Sequence, residues 1–235
     1  MEFTATDHAL LFAWLARSAL LRVGDEQGVA LVREAVRRYG AQRGRRMALR
    51  AQANGQPLTM ASYLGLREWQ ASDDDLVQES RSQGPHLLAE VRRCALHQAW
   101  ETHDLMPFGR LYCLDIDEAL VHGFNPELRL DVRSTLTGGD EGCEFVFHDV
   151  DRAPAPAGRV VMPWEYHLGH LFKAVSEIFV EKLGAQGQEV ADEALAEFAA
   201  HYGHKAAQVI SAYRGTDFDR LPESVDGSIT GGDGP

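Results

Sequence analysis

The feature that most constrains this chain is an internal repeat that pairs residues 9–50 with residues 169–209. Each segment has the pattern of two amphipathic helices joined at a glycine corner, with Gly24 in the first and Gly184 in the second. One such hairpin buries too little apolar surface to be stable alone, so two copies favour packing around a shared middle. The repeat therefore predicts two similar helical hairpins, which we interpret as a duplication.

The middle of the chain is predicted to hold two further helices and a small antiparallel unit. Apolar residues recur at helical spacing over 86–101 and 108–122, whereas residues 127–150 alternate as two strands do. The Gly-Gly-Asp run at 138–140 supplies turn chemistry between these strands. We therefore expect a predominantly helical α+β fold, with the two hairpins around a central helical pair and a small antiparallel β-hairpin or sheet.

Composition bounds the domain organisation. Residues 1–222 carry enough apolar patterning for a single domain that contains both hairpins. Residues 151–160 are predicted to form a surface loop. Residues 223–235 are rich in glycine, serine and aspartate, so we expect a disordered tail.

Charge and cysteine content restrict the classes of partner. A formal net charge of −12 argues against nucleic-acid binding, because phosphate backbones repel an acidic protein. The longest apolar stretches are interrupted by charged residues, so no membrane segment is predicted. An odd cysteine count of 3, without a basic leader at the N-terminus, indicates a cytoplasmic protein without a disulfide framework.

The first candidate cluster contains a thiol and a carboxylate. On a helix over 108–122, Cys113 and Asp117 lie on one face, together with Ile116 and Leu120. Cysteines in an apolar stripe are most often core residues, and Cys94 and Cys143 are interpreted in that way. The carboxylate beside the stripe needs a partner or a functional reason, which keeps a catalytic role open for Cys113.

The second cluster lies at a predicted helix start that carries Glu165. His167 and His170, three residues apart, suit either an acid–base pair or buried structural roles. The zinc motif His-Glu-x-x-His is absent, so no metal site is predicted.

The third cluster is basic. Arg43, Arg46 and Arg50 share one helical face, where their guanidinium groups suit a carboxylate ligand. The alternative is a solvated face near a helix C-terminus, where positive charge is favoured.

Several short motifs, taken in order and spacing, carry a resemblance over roughly residues 7–221. They are Tyr39 to Ala48, Cys94 with Ala99 and Trp100, Tyr112-Cys113 with Asp117 to Leu120, Gly123 to Pro126, Gly139-Asp140 with Cys143 to Phe145, Tyr166-His167 with Gly169 to Leu171, and Asp217 to Asp219. In these motifs the chain resembles the L-2-amino-thiazoline-4-carboxylic acid hydrolases. The resemblance implies hydrolytic opening of a cyclic amidine ring to a carbamoyl product, in bacterial cysteine metabolism.

Such a reaction requires a nucleophile or activated water, an acid for the leaving nitrogen and a clamp for the substrate carboxylate. We assign Cys113 as nucleophile or binding group, His167 as acid–base partner, and Asp117 or Glu165 as the orienting carboxylate, with His170 as an alternative base. Arg46 is the expected clamp, and the other candidates for substrate binding are Arg43, Tyr166, Asn125 and Trp164.

Two other functions remain open. One is a sensor module that binds a small molecule or a metal without turnover, and the other is a metal-dependent cyclic amidohydrolase that uses His167, His170 and a carboxylate to activate water. The expected partner is a small carboxylate substrate, no cofactor is expected, and a homodimer is compatible with the aromatic-rich helices.

Overall fold

A computed structural model describes residues 2–66, 68–69, 75–150 and 161–222. The predicted loop at 151–160 and the predicted tail at 223–235 lie outside the described residues. The elements, in chain order, are α1 (Ala5–Val23), α2 (Asp25–Ala53), α3 (Met60–Gly65), β1 (Leu76–Gln83), β2 (His86–Cys94), α4 (Ala95–Thr102), α5 (Met106–Cys113), α6 (Ile116–Phe124), β3 (Leu130–Ser134), β4 (Cys143–Phe147), α7 (Trp164–Leu183), α8 (Ala185–Tyr202) and α9 (His204–Ser211). The fold is α+β and predominantly helical, as predicted.

Two helical hairpins form the main layer. Helices α1 and α2 meet at Gly24, and α7 and α8 meet at Gly184, both with the positive φ angles that favour glycine. Apolar faces of the two hairpins pack together, with Leu11, Phe12 and Phe172 fully buried. The hairpins form as predicted, whereas their origin by duplication stays a prediction.

A four-stranded antiparallel sheet in the order β1-β2-β4-β3 packs beside this layer. The pair β3 and β4 is the predicted hairpin, with Val132 opposite Phe145. Apolar side chains from the sheet pack on α3 and α6, with Ala89, Val121 and Met60 buried together. The sheet thereby leaves a space between its face and the helices α2, α5 and α6.

The prediction of a helix over 86–101 was wrong in its first half, because His86–Cys94 forms the central strand β2. Leu87 and Val91, four residues apart, satisfy a helical period, but they also satisfy the strand alternation that includes Ala89. Pairing with both β1 and β4 decides between the two patterns. The helical prediction holds from Ala95 onward, as α4.

The prediction of a single helix over 108–122 was also wrong, because the helix is interrupted between α5 and α6. Asp115 lies at the break and accepts hydrogen bonds from Arg33 at 2.7 and 3.0 Å and from Arg37 at 3.2 Å. These bonds tie the junction to α2. Cys113 and Asp117 therefore belong to two helices rather than to one face of one helix.

Helix α6 packs directly on α2, and this contact depends on Gly44. A Cβ atom at Gly44 would lie 2.1 Å from the backbone oxygen of Leu120 and 2.6 Å from the backbone nitrogen of Phe124. Both neighbours are helical backbone, which cannot move without separating the helices.

We expect Gly44→Ala to lower the free energy of unfolding by about 2–3 kcal/mol, because the added methyl group forces α2 and α6 apart. Gly215→Ala is the control, since no atom outside its own local stretch of chain lies within 4 Å of its Cβ position. Urea denaturation followed by circular dichroism measures both. Equal midpoints for Gly44→Ala and the wild type would contradict the prediction.

Candidate active site

A cavity of about 250 Å³ lies between the sheet and helices α2, α5 and α6. Its charged lining residues are Arg43, Glu68, Asp75 and Asp117, and all three cysteines reach it. Its aromatic walls are Tyr63, Trp69, Tyr112, Phe145, Phe147 and Trp164. Aromatic walls with a few polar groups suit a small ring compound.

Three arginines of α2 converge on one buried carboxylate at the edge of this cavity. Arg46 donates two hydrogen bonds of 2.9 Å to Glu68, and Arg50 donates a third of 2.7 Å. Arg43 lies farther away, with Nε 3.5 Å from Oε2 of Glu68. Burial would raise the pKa of Glu68, but Arg46, Arg43 and Arg50 lower this pKa to about 2. Three guanidinium groups thus share one carboxylate.

Arg46 was expected to bind the substrate carboxylate, but its guanidinium group is bound to other groups of the protein. Beyond Glu68, it donates to the backbone oxygen of Phe218 at 2.7 Å and to Nδ1 of His170 at 3.2 Å. Its side chain is fully buried, so a solvated face is equally wrong. The guanidinium group of Arg46 therefore stabilises the protein through its own buried hydrogen bonds.

Arg43 is the arginine that faces the cavity. Its side chain is 2% exposed, and its Nε and one terminal nitrogen have no hydrogen-bond partner. Its guanidinium carbon lies 4.4 Å from the ring centroid of Trp69, which stabilises the cation by a cation–π contact. A buried cation with unused donors is suited to bind an anionic ligand.

The two histidines of α7 are both buried, with different surroundings. His170 accepts from Arg46 at Nδ1 and lies 2.9 Å from Oε1 of Gln42 at Nε2, so its proton is on Nε2. His167 lies against Trp69 and Trp164, and neither of its ring nitrogens has a hydrogen-bond partner. Burial and the positive charge of Arg43 lower the pKa of His167 to about 3. Both rings are therefore neutral near pH 7, and neither lines the cavity.

Cys113 and Asp117 line the cavity together despite the helix break. Burial, and then the nearby Glu118, raises the pKa of Asp117 to about 6, against the opposing influence of Arg43. Burial and Asp117 raise the pKa of the Cys113 thiol well above its ordinary value. A second cavity of about 290 Å³, lined by polar groups such as Ser134 and Asp140, shares both residues.

The remaining predicted site residues are dispersed. Trp164 lines the cavity, whereas Tyr166 packs on Phe218 and Arg46 behind it. Asn125 ends α6, donates to the backbone oxygen of Leu58 and accepts from the Glu127 amide, so both ends of its amide are used. Glu165 is half-buried in the first turn of α7 and is not among the residues that line the cavity.

Three residues of this region were missed by the sequence analysis. Glu68 and Trp69 lie outside any helix or strand and gave no periodic signal. His8 is fully buried on α1, with its Nε2 3.1 Å from the Tyr39 hydroxyl. Three arginines on one helical face do require an acidic partner if that face is buried, but the pattern cannot say which carboxylate supplies it.

Within the described ranges, no group of three or more histidine, cysteine, aspartate or glutamate side chains is arranged to hold a metal ion. In the same ranges, no helix is long and apolar enough to cross a membrane.

The arginine network gives opposite expectations for two neighbouring residues. Arg46→Met should lower the free energy of unfolding by about 3–5 kcal/mol, because it breaks a buried, fully bonded ion pair. Arg43→Met should change it by less than about 1 kcal/mol or raise it, because Glu68 keeps Arg46 and Arg50. Denaturant titration of both variants measures the difference, and a larger loss for Arg43→Met would show that our account of the network is wrong.

A family model described as L-2-amino-thiazoline-4-carboxylic acid hydrolase matches residues 5–147. No curated protein and no solved structure matches the chain. The matched range runs from α1 to β4 and contains the arginine face, Glu68, the three cysteines and Asp117. Because the match covers more than half of the 235 residues, the chain belongs to the L-2-amino-thiazoline-4-carboxylic acid hydrolase family.

Proposed function

We propose that this protein is a hydrolase that opens the ring of a small cyclic amidine carboxylate, such as a 2-amino-thiazoline-4-carboxylate, to a carbamoyl product. The observation that carries the proposal is that one cavity is lined both by Arg43, a buried guanidinium with two nitrogens that make no hydrogen bond, and by Asp117, a carboxylate with a raised pKa. The first suits a substrate carboxylate, and the second suits proton transfer at neutral pH.

Arg43 is the proposed carboxylate clamp, in place of Arg46. Among Arg43, Arg46 and Arg50, Glu68 neutralises one positive charge and Asp117, ionised above a pH of about 6, neutralises a second, so one remains. The nearby His8, His167 and His170 have lowered pKa values and stay neutral. An anionic ligand would relieve this excess of buried positive charge. The aromatic walls, which include Trp69 and Trp164, would then enclose the ring.

Asp117 is the proposed general base. It lies in the first turn of α6 and borders both cavities, so water in the polar second cavity has access to its carboxylate. Water would add to the amidine carbon, with Asp117 taking a proton from the water as the carbon–oxygen bond forms. The tetrahedral adduct then opens the ring as its hydroxyl becomes a carbonyl and the carbon loses nitrogen or, in a thiazoline, sulfur. The two protons of the water, one of them carried by Asp117, end on the former ring nitrogen or, when sulfur leaves, one on the nitrogen and one on the sulfur.

Cys113 is proposed to bind the ring rather than to attack it. Its raised thiol pKa keeps the sulfur protonated, and a protonated thiol is a poor nucleophile. In the proposed reaction, activated water attacks the amidine carbon instead, so no covalent intermediate with the protein is formed. His167, buried and neutral, is not proposed as an imidazolium acid.

The pH dependence of turnover tests the role of Asp117. Because the base is active when ionised, kcat/KM should rise with pH through about 6 and level off above it. Asp117→Asn should lower kcat by roughly 100-fold or more and remove this rising limb. Glu118→Gln is the matched control: it removes the neighbouring charge that raises the Asp117 pKa, so the limb should move to lower pH. An unchanged profile in Asp117→Asn would rule out the assignment.

The turnover assay itself separates a hydrolase from a sensor module. Purified protein is incubated with 2-amino-thiazoline-4-carboxylate, and carbamoyl product is followed by chromatography. Arg43→Lys keeps the charge but loses the fork, so KM should rise about tenfold or more. Arg45→Lys, at an exposed arginine of the same helix, should leave KM unchanged. Tight binding of the thiazoline without product would favour the sensor.

A further inference from the structure

The outer edge of β1 has no partner strand among the described residues. β1 is the first strand in the order β1-β2-β4-β3, so its backbone pairs with β2 on one side only. Its residues from Glu79 to Gln83 are all exposed. A free edge of this kind can pair with another strand unless its sequence prevents that. The side chains of β1 therefore decide whether this edge is blocked or open to a partner.

Two charged side chains of β1 lie on the face of the sheet that points away from the cavity. Leu76 and Gln78 line the cavity, and Nε2 of Gln78 donates to Oγ of Ser80 at 3.2 Å, so these three residues share the inner face. Because successive side chains of a strand alternate between its faces, Glu79 and Arg81 project from the outer face. They are two positions apart and carry opposite charges.

Neither of these charges is neutralised inside the sheet. Glu79 lies opposite Glu90, which is itself bound to Arg92 at 2.6 Å, so the neighbouring strand offers Glu79 a like charge. Arg81 lies opposite Leu88. Within the described part of the chain, no salt bridge joins either side chain to another residue. Like charges directly opposite each other are unfavourable, so Glu79 and Arg81 would be stabilised by partners on the free side of β1.

The other edge of the sheet differs in this respect. Both charged residues of β3 have partners within the chain, because Asp131 binds His148 at 2.8 Å and Arg133 binds Glu144 at 2.9 Å. Charges on an edge strand commonly discourage pairing with another chain. That explanation suits β3, whereas the unbound and opposite charges of β1 favour pairing with a strand of complementary sequence.

The sequence of β1 is complementary to itself. When two copies pair antiparallel about a twofold axis at Ser80, Glu79 of each copy lies opposite Arg81 of the other. An axis at Glu79 or at Arg81 would put like charges opposite each other, and an axis between two of these residues would oppose no pair of charges. Cross-strand pairs of opposite charge are favourable, so the charges select the register centred on Ser80.

We propose that a second copy of this chain pairs with the free edge of β1 about a twofold axis at Ser80, so that the two four-stranded sheets become one. Main-chain hydrogen bonds join the two β1 strands, and each Glu79 forms a salt bridge with Arg81 of the other copy. The contact is small, so the dissociation constant should be on the order of micromolar. The homodimer expected from the sequence would then form through a sheet edge rather than through aromatic-rich helices.

The pairing changes the surroundings of the cavity wall and does not depend on the hydrolase activity. Leu76 and Gln78, which line the cavity, belong to β1. In the dimer β1 is a central strand with partners on both sides, whereas in the monomer it is an edge strand. Central strands open less readily than edges, so dimerisation would hold this wall in place.

Charge reversal tests the interface. Glu79→Arg makes both positions positive and Arg81→Glu makes both negative, so either variant alone should have a dissociation constant at least about tenfold higher than the wild type. An equimolar mixture of the two variants restores both opposite pairs, so it should form a heterodimer with about the affinity of the wild-type dimer. Analytical ultracentrifugation at about 50 mM salt measures these constants, because higher salt would screen exposed charges.

Glu127→Arg is the matched control, because it makes the same change of charge at an exposed position in the turn between α6 and β3. It should leave the dissociation constant unchanged, and circular dichroism confirms that each variant is folded. A wild type that stays monomeric at about 100 µM would overturn the proposal. A dimer that neither reversal weakens would do so too, as would a mixture that forms no heterodimer.

A cysteine on the twofold axis tests the register. Ser80→Cys should bring the two introduced residues to the Cα separation of a cross-strand pair, about 4.5–5.5 Å, which a disulfide can bridge. With diamide as the oxidant, this variant should give a covalent dimer on a non-reducing gel, above the background that the three half-buried native cysteines give in the wild type. Ser82→Cys, exposed on the same strand, should not, because it lies opposite Gln78 of the partner subunit. Equal cross-linking of the two variants, or none in either, would overturn the axis at Ser80.

Discussion

The carboxylate of Glu68 is the interaction on which the rest of the site depends. It binds Arg46 with both oxygens and Arg50 with one, so a residue outside any helix or strand is fixed to α2. Arg46 in turn binds the Phe218 carbonyl and His170, which ties α7 and the C-terminal segment to the same point. A single acid thus orders three separate parts of the chain around the cavity.

The buried charged residues of this site are not the most stabilising residues for these positions. One carboxylate does not neutralise three buried guanidinium groups, and Asp117 is held at a pKa of about 6 in a buried position. Apolar replacements of similar volume would cost less desolvation at both places. Buried charge that is retained without full compensation is characteristic of functional sites, where ligand binding or proton transfer uses the imbalance.

The sequence predicted those parts of the molecule whose signals are local. The hairpin periodicity, the corners at Gly24 and Gly184, and the alternation of β3 and β4 are all short-range patterns, and the structure confirms them. Strand β2 was missed because the spacing of Leu87 and Val91 fits both a helix and a strand. Only pairing with the neighbouring strands β1 and β4 shows that this segment is a strand. Glu68 and the meeting of Cys94 with Cys143 depend on tertiary packing, which no spacing along the chain encodes.

The site also extends beyond the residues matched by the family model, which end at 147. Helix α7 begins at Trp164, a cavity wall, and its His170 bridges Arg46 and Gln42 through its two ring nitrogens. Without α7 and the segment at Phe218, Arg46 would lose two of its partners. Of the hydrogen bonds described for this buried guanidinium, only those to Glu68 would remain. The C-terminal hairpin and the segment after it are therefore part of the charge network around Glu68, because two partners of Arg46 follow β4.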